Sequence, residues 1–150
     1  MAADAFIPAP FLRRLMSLVY DALLTLALWF MTTLSVIMVT KPFTGLDSIQ
    51  GAHRIYLYLL LFLVTLGFFS TFWRYNGQTL GMQAWRIRVD SLEGGALSWR
   101  QSLLRFLLAW STLGLGLGWA LFDPKKQALY DRLCQTRLIW LIPGMPQHRN

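Results

Sequence analysis

Acidic residues are scarce in this chain of 150: Asp and Glu number 7 against 14 Lys and Arg, for a formal net charge of +7. Charged residues make up only 14% and hydrophobic ones 55%, far from the balance of an ordinary soluble domain. The single cysteine, Cys134, excludes an intrachain disulfide and a cysteine-based zinc knuckle. Histidine occurs only as His53 and His148, with no cysteine pair to join them, so no metal-ligand spacing is present. No nucleophile–base arrangement is visible either, and the chain reads as a non-enzyme with no cofactor. A basic chain can bind nucleic acid, but here the basic residues flank long apolar runs, as in inner-membrane proteins, and we set that partner aside.

Long apolar runs are what the sequence has in abundance. A bilayer crossing takes about 20 mostly apolar residues. The first candidate runs near Leu15 to Val39, until "KPFTGLD" breaks it with Pro42 and Gly45. It is longer than a signal-peptide core of roughly 7–15 residues, no A-x-A-like site precedes it, and an uncleaved membrane helix is expected. The second, Ile55 to Trp73, carries Tyr56 and Tyr58 at one end and Trp73 at the other, as interfacial aromatic belts do. The third, Leu103 to Phe122, contains Arg105 and three glycines, Gly114, Gly116 and Gly118. Embedded among Leu and Trp, these glycines suit close packing or a helix break, and a dinucleotide loop would need a strand before them.

The intervening "WRIRVDS" alternates apolar and polar residues, so a strand is expected over 85–91. "TRLIWLI" offers it a partner over 136–142. Ser98 marks a helix start, with Trp99, Leu103, Phe106 and Trp110 on one face opposite Ser98, Gln101, Ser102 and Arg105, the pattern of an interfacial helix. Asp123 followed by Pro124 predicts a cap and a short helix reaching Leu133. Asp123 and Asp131 fall eight apart, but Asp123 is better used as that cap.

The fold class expected is thus an all-α integral membrane protein. It has two transmembrane helices, a third apolar segment that re-enters or spans, and a short cytoplasmic β pairing. Residues 1–12 form an N-terminal cytoplasmic segment, 13–142 the membrane domain and 143–150 a loose tail. Basic residues before the first run and after the second place the N-terminus in the cytoplasm, by the positive-inside rule. The tail is equally basic, which a full third crossing would put outside. A re-entrant pair broken at "LGLGLG", reaching about 15 Å deep, reconciles the two.

The first run contains one expensive residue, Asp21. A charge at the bilayer centre costs about 2.5–3.5 kcal/mol on insertion scales, less near an interface. Arg14 lies seven residues earlier, two turns away on the same face, with a rise of about 10 Å. That gap needs a further partner, and Arg105, Asp131 or water are the candidates. Asp21 then either binds a proton or cation between helices, or forms a structural ion pair. Ser17, Thr25, Thr32 and Ser35 near the same stripe read as packing or back-bonding residues.

Three stretches in order resemble the RDD family of small bacterial membrane proteins, named for one arginine and two aspartates. They are "RLMSLVYD", "GQTLGMQAWRIRV" and "KKQALYDRLCQTRLIW". The resemblance implies that Arg14 is the family arginine and that Asp21 and Asp131 are its two aspartates. Met82 stands where many members carry a basic residue, and Trp85 near a usual small one. The resemblance also implies a bacterial inner-membrane location. Some members are proposed to exchange sodium or other monovalent cations for protons, and a eukaryotic relative works as an adaptor in membrane-protein quality control.

Two functional expectations follow. In the first, Asp21 and Asp131 form an ion or proton site tuned by Arg14 or Arg105, and two full spans require a homo-oligomer or another membrane protein to enclose a pathway. In the second, the Arg–Asp–Asp trio is structural, and the protein is a non-transporting adaptor or assembly factor. Besides such a protein partner, the lipid bilayer is the surrounding medium in both.

Overall fold

A computed structural model describes residues 7–44, 52–112, 118–119, 123 and 128–142. Two long helices dominate it: α1, Phe11–Thr44, and α2, Ala52–Tyr75. At 1.5 Å per residue they extend roughly 51 and 36 Å, each more than the ~30 Å hydrocarbon core. Both are long and apolar enough to cross a membrane, and hardly any of their most apolar stretches is buried against the rest of the protein. Met38 is 65% exposed and Ile55 69%, which fits a lipid-facing surface better than the core of a water-soluble protein.

The first helix overruns the break expected at Pro42, which lies inside its last turn. A helical proline disturbs only its own missing donor and the carbonyl four residues back, here that of Met38, so the preceding turns survive it. Gly45 lies outside the described residues. The hydroxyls along α1 behave as expected: Ser17 donates to the Arg14 carbonyl, Thr25 to that of Asp21, Thr32 to that of Leu28 and Ser35 to that of Met31. Each satisfies itself on its own helix, which is how a hydroxyl survives in an apolar setting. The spans touch through a polar tie, the Trp29 indole N–H donating to the Thr65 hydroxyl at 2.8 Å.

Beyond α2 the chain builds a small cap from α3 (Leu80–Ala84), β1 (Ile87–Ser91), α4 (Trp99–Ser111), α5 (Leu129–Leu133) and β2 (Thr136–Trp140). The strands pair antiparallel, Ile87 opposite Trp140 and Ser91 opposite Thr136. The expected pairing is present but shorter than 85–91 with 136–142. Arg86 adopts a positive φ (52°) and turns the chain into β1, which therefore starts at Ile87; β2 starts at Thr136 as expected and ends at Trp140. Residues 7–9 extend the pairing along β2, with the Ala9 N–H on the Leu138 carbonyl and the Trp140 N–H on that of Ile7. A two-stranded sheet is marginal alone. Here Ile87, Val89 and Leu138 are buried with Phe106, Met82 and Trp73, so the core sits at one end of the spans.

Trp73 is therefore not an interfacial anchor but a core residue, 5% exposed. A second correction concerns α4. Helical periodicity groups Phe106 with Trp99, Leu103 and Trp110, away from Ser102 and Arg105. Instead Ser102, Arg105 and Phe106 are buried together, while Trp99, Leu103 and Trp110 are exposed. Positions i, i+3 and i+4 share a helix face, so this grouping is geometrically natural once Arg105 has a partner inside. Ser98 does start α4, through a reciprocal capping box: its hydroxyl accepts from the Gln101 N–H and its own N–H donates to Oε1 of the Gln101 side chain. Ser98→Ala is expected to lower stability by about 1 kcal/mol, read as a fall in the unfolding midpoint, with Ser98→Asn nearly neutral.

The third apolar segment is described only as α4 and residues 118–119. Its proposed break at "LGLGLG" lies largely outside the described residues, as do Pro124 and the tail 143–150. The helix expected from Asp123 is described only from Leu129, with Ala128 at its N-cap. Asp123 is buried, 3.7 Å from the exposed guanidinium of Arg132.

Candidate functional site

The first turns of α1 carry Arg14 and, two turns on, Asp21. Both are 3% exposed, so each needs partners within the protein. Those partners are not each other. The Asp21 carboxylate accepts a hydrogen bond from the Thr79 hydroxyl on one oxygen and from the Gly81 N–H, at 2.9 Å, on the other. Thr79 is the N-cap of α3 and its hydroxyl also accepts from the Met82 N–H. The aspartate of one helix thus seats on the first turn of another, where unpaired N–H groups favour an anion. The close approach depends on Gly81, which packs on the Ser17 carbonyl and on Asp21 itself.

Arg14 turns to Asp131 instead. Its Nη1 lies 3.4 Å from Asp131 Oδ2, and its Nε donates to the Ala9 carbonyl at 3.0 Å. Arg105, reaching in from α4, donates Nη1 to Asp131 Oδ1 and to the Thr136 hydroxyl. Asp131 Oδ2 also accepts the Ala128 N–H at 3.2 Å, closing the first turn of α5. Helices α1, α4 and α5 therefore meet at a single carboxylate that is 1% exposed, and strand β2 joins them through the Thr136 hydroxyl, which accepts from Arg105 and donates to the Asp131 backbone carbonyl. The Arg105 guanidinium lies over the Trp73 and Tyr130 rings, 5.1 and 4.9 Å from their centroids. Cation–π contacts of this kind are worth about 2 kcal/mol when desolvated.

Two neighbouring groups are kept neutral. Burial, reinforced by the Asp131 charge, pushes the Tyr130 phenol up to about 12. Burial also raises the Cys134 thiol, against the opposing pull of Arg105, which leaves it a poor nucleophile at neutral pH. Among the described residues no three His, Cys, Asp or Glu side chains gather to hold a metal ion.

The four residues singled out in the sequence thus fall into two sites. Arg14, Arg105 and Asp131 meet, whereas Asp21 lies apart from the arginines and is not neutralised by them. Among the described residues no ion pair reaches Asp21; its stabilisation comes from dipoles. Thr79, Gly81, Thr136 and the two stacked rings were not foreseen. For Thr79 and Gly81 a signal existed: "GQTLG" carries a threonine at a helix start and a glycine with no turn to serve.

Between α1, α2 and α4 lies a cavity of about 480 Å³. Arg14, Arg105 and Tyr130 line it near the Asp131 junction, Asp21 lines it two turns along α1, and Leu26, Trp29 and Phe69 line it farther on.

Two apolar helices of bilayer-crossing length, closed at one end by a small α/β cap clamped through buried charges, define a small membrane protein. The sequence model of the RDD family matches residues 8–135. The chain belongs to that family. Over 78 residues it is 40% identical to an uncharacterised protein of Rickettsia prowazekii (strain Madrid E), a match covering 51% of this chain and 44% of that protein. The match therefore spans less than half of the relative's length. No solved structure matches.

Proposed function

We propose that this protein is a non-transporting membrane adaptor or assembly factor, with no catalytic activity, whose Arg–Asp–Asp residues hold the cap on the spans. One observation carries the reading. Asp21 and Asp131 each have both carboxylate oxygens engaged by fixed groups from distant parts of the chain. A site that exchanges a cation for a proton has to release such partners in every cycle, and releasing these would detach the cap. The cap presents exposed cations at Arg86, Arg100 and Arg132 for a protein partner, a second copy or anionic lipid. With the positive-inside rule, this face and the N-terminus are assigned to the cytoplasm of a bacterial inner membrane.

The position of Asp21 on the cavity wall favours the competing reading, in which it alternates between a proton and a monovalent cation. One variant separates the two. Asp21→Asn keeps an acceptor for the Gly81 N–H but loses the charge assistance, so the adaptor reading expects about 1–1.5 kcal/mol less stability, the difference between a charge-assisted and a neutral bond, and lower membrane abundance. The parent reconstituted in sealed vesicles should show no sodium- or potassium-driven proton flux. Flux in the parent that disappears in a stably folded Asp21→Asn variant would establish transport instead.

A further inference from the structure

Four arginines of this protein are held by carboxylates: Arg14 and Arg105 share Asp131, Arg88 holds Asp90, and Arg132 meets Asp123. Arg13 is held without one. Its Nη1 donates to the Trp85 carbonyl at 3.0 Å, and its guanidinium lies over the Trp140 ring, 4.5 Å from the centroid. Its Nε and Nη2 have no partner among the described residues, and neither is enclosed, so both can be reached from outside. The gripped carbonyl belongs to the peptide bond that leads into Arg86, a second cation, exposed and also without an acid among the described residues. The Arg86 backbone is fixed at φ 52°, with its carbonyl accepting the Leu141 N–H at 2.8 Å. Left-handed backbone of this kind favours Gly, Asn or Asp; this chain places a cation there instead.

Depth says which anion this pair meets. From Arg13 to Lys41 along α1 is 28 residues, about 42 Å of rise, which matches the ~40–45 Å of a bilayer with both headgroup zones. Arg13 therefore stands at headgroup level when Lys41 stands at the opposite surface. Tyr20 lies two turns farther along the same face of α1, about 10 Å deeper. It is 49% exposed and meets Trp85 edge to face, 6.4 Å between ring centroids. Amphipathic rings of this kind settle where headgroups give way to hydrocarbon. Cations above and an aromatic ring below follow the order of a phospholipid, phosphate first and acyl chain beneath.

We propose that Arg13 and Arg86, braced by Trp85 and Trp140, bind the phosphate of an anionic phospholipid in the leaflet that faces the cap. The free edge of Arg13, Nε with Nη2, offers two parallel donors to phosphate oxygens. Arg88 uses that same edge to grip both oxygens of Asp90. Arg86 supplies the second positive charge, and the acyl chains descend α1 past Tyr20. A zwitterionic headgroup would bring its own cation against two arginines, so the site selects a lipid of net negative charge. This inference deepens the reading of the basic face and rests on that face lying at the bilayer. Cation flux tests transport separately, so the two can fail independently.

The test places the full chain in phosphatidylcholine nanodiscs doped with a phosphatidylglycerol that carries a photoreactive diazirine beside its ester groups. Saturable labelling centred on Tyr20 is expected. Unlabelled phosphatidylglycerol should compete at least tenfold better than phosphatidylcholine, and glycerol 3-phosphate in solution not at all. Arg86→Asn suits the left-handed backbone, removes one charge and should reduce labelling about fivefold. Adding Arg13→Gln should bring the loss to at least tenfold; if that double variant fails to fold, Arg86→Asn carries the test alone. Arg100→Gln with Arg132→Gln removes two exposed cations elsewhere on the cap and should change labelling less than twofold. An equal loss in that control would reduce the site to the general field of a basic protein and overturn it. Equal competition by phosphatidylcholine would overturn the anionic selectivity, and competition by glycerol 3-phosphate would give the patch to a soluble phosphate ester. Absent labelling, or labelling unchanged in folded Arg86→Asn, would overturn the site and leave the adaptor reading standing.

Discussion

Replacing Asp131 with Leu is expected to cost about 3–5 kcal/mol, enough to remove most of the folded protein from the membrane. The reason is the charge left behind. Arg14 and Arg105 are 3% and 2% exposed, and the substitution strands both guanidiniums without a counter-charge. It also releases the first turn of α5, because the Ala128 N–H loses its acceptor. The same logic predicts a partial rescue. A triple variant, Arg14→Met with Arg105→Met and Asp131→Leu, removes the charges together and should be more stable than Asp131→Leu alone. Unfolding midpoints of the purified proteins in one detergent, with membrane abundance beside them, measure both. A tolerated Asp131→Leu, or a triple variant no better than the single, contradicts the clamp.

Gly81→Ala is the second large effect, and it arises from space alone. A Cβ at position 81 would stand 2.8 Å from the Asp21 Cγ and Oδ1, and closer still to the Ser17 carbonyl oxygen. The Ser17 oxygen is backbone, and the short Asp21 side chain is held at both oxygens. Helix α3 has to move away from α1, and the Gly81 N–H then leaves the Asp21 carboxylate. Overpacking of this kind costs about 1–3 kcal/mol, and a lost charge-assisted bond adds about 1.5–3 more. Gly67→Ala is the control: nothing lies within 4 Å of a Cβ there, and a gain of about 0.5–1 kcal/mol is expected inside a helix. The paired unfolding midpoints should move in opposite directions. A neutral Gly81→Ala would mean that α3 is not seated on Asp21.

These two substitutions also mark where the family residues act. Arg14 and Asp21 sit on one face of α1, yet they anchor different parts of the cap, Arg14 holding α5 and Asp21 holding α3. The cap is thereby fixed to the first span at two levels, which an isolated ion pair within α1 would not achieve. The buried side of α4 adds a third anchor through Arg105.

Much of this was legible along the chain because it depends on local periodicity. The apolar runs of α1 and α2, the Ser98 start of α4 and the alternation in "IRVDS" each report on a helix or strand within its own residues. The back-bonded hydroxyls of Thr25, Thr32 and Ser35 are equally local. That Asp21, Asp131 and two arginines require company was also plain, since burying any of them alone is costly.

Which acid meets which base was decided only by the tertiary fold. Spacing on α1 pointed Asp21 toward Arg14, but a rise of about 10 Å between them leaves both open to partners from elsewhere. Asp131, 117 residues from Arg14 in the chain, was delivered to it by the antiparallel pairing of β1 with β2 and the turn of α5. Likewise Trp73 and Phe106 carry ordinary interfacial and lipid-facing signatures, and only the arrival of Arg105 and the sheet made them core. Sequence patterning determines where apolar surface lies along each helix. The choice of partners for a buried charge depends on distances between segments that are remote in the chain, and those exist only once the cap has docked.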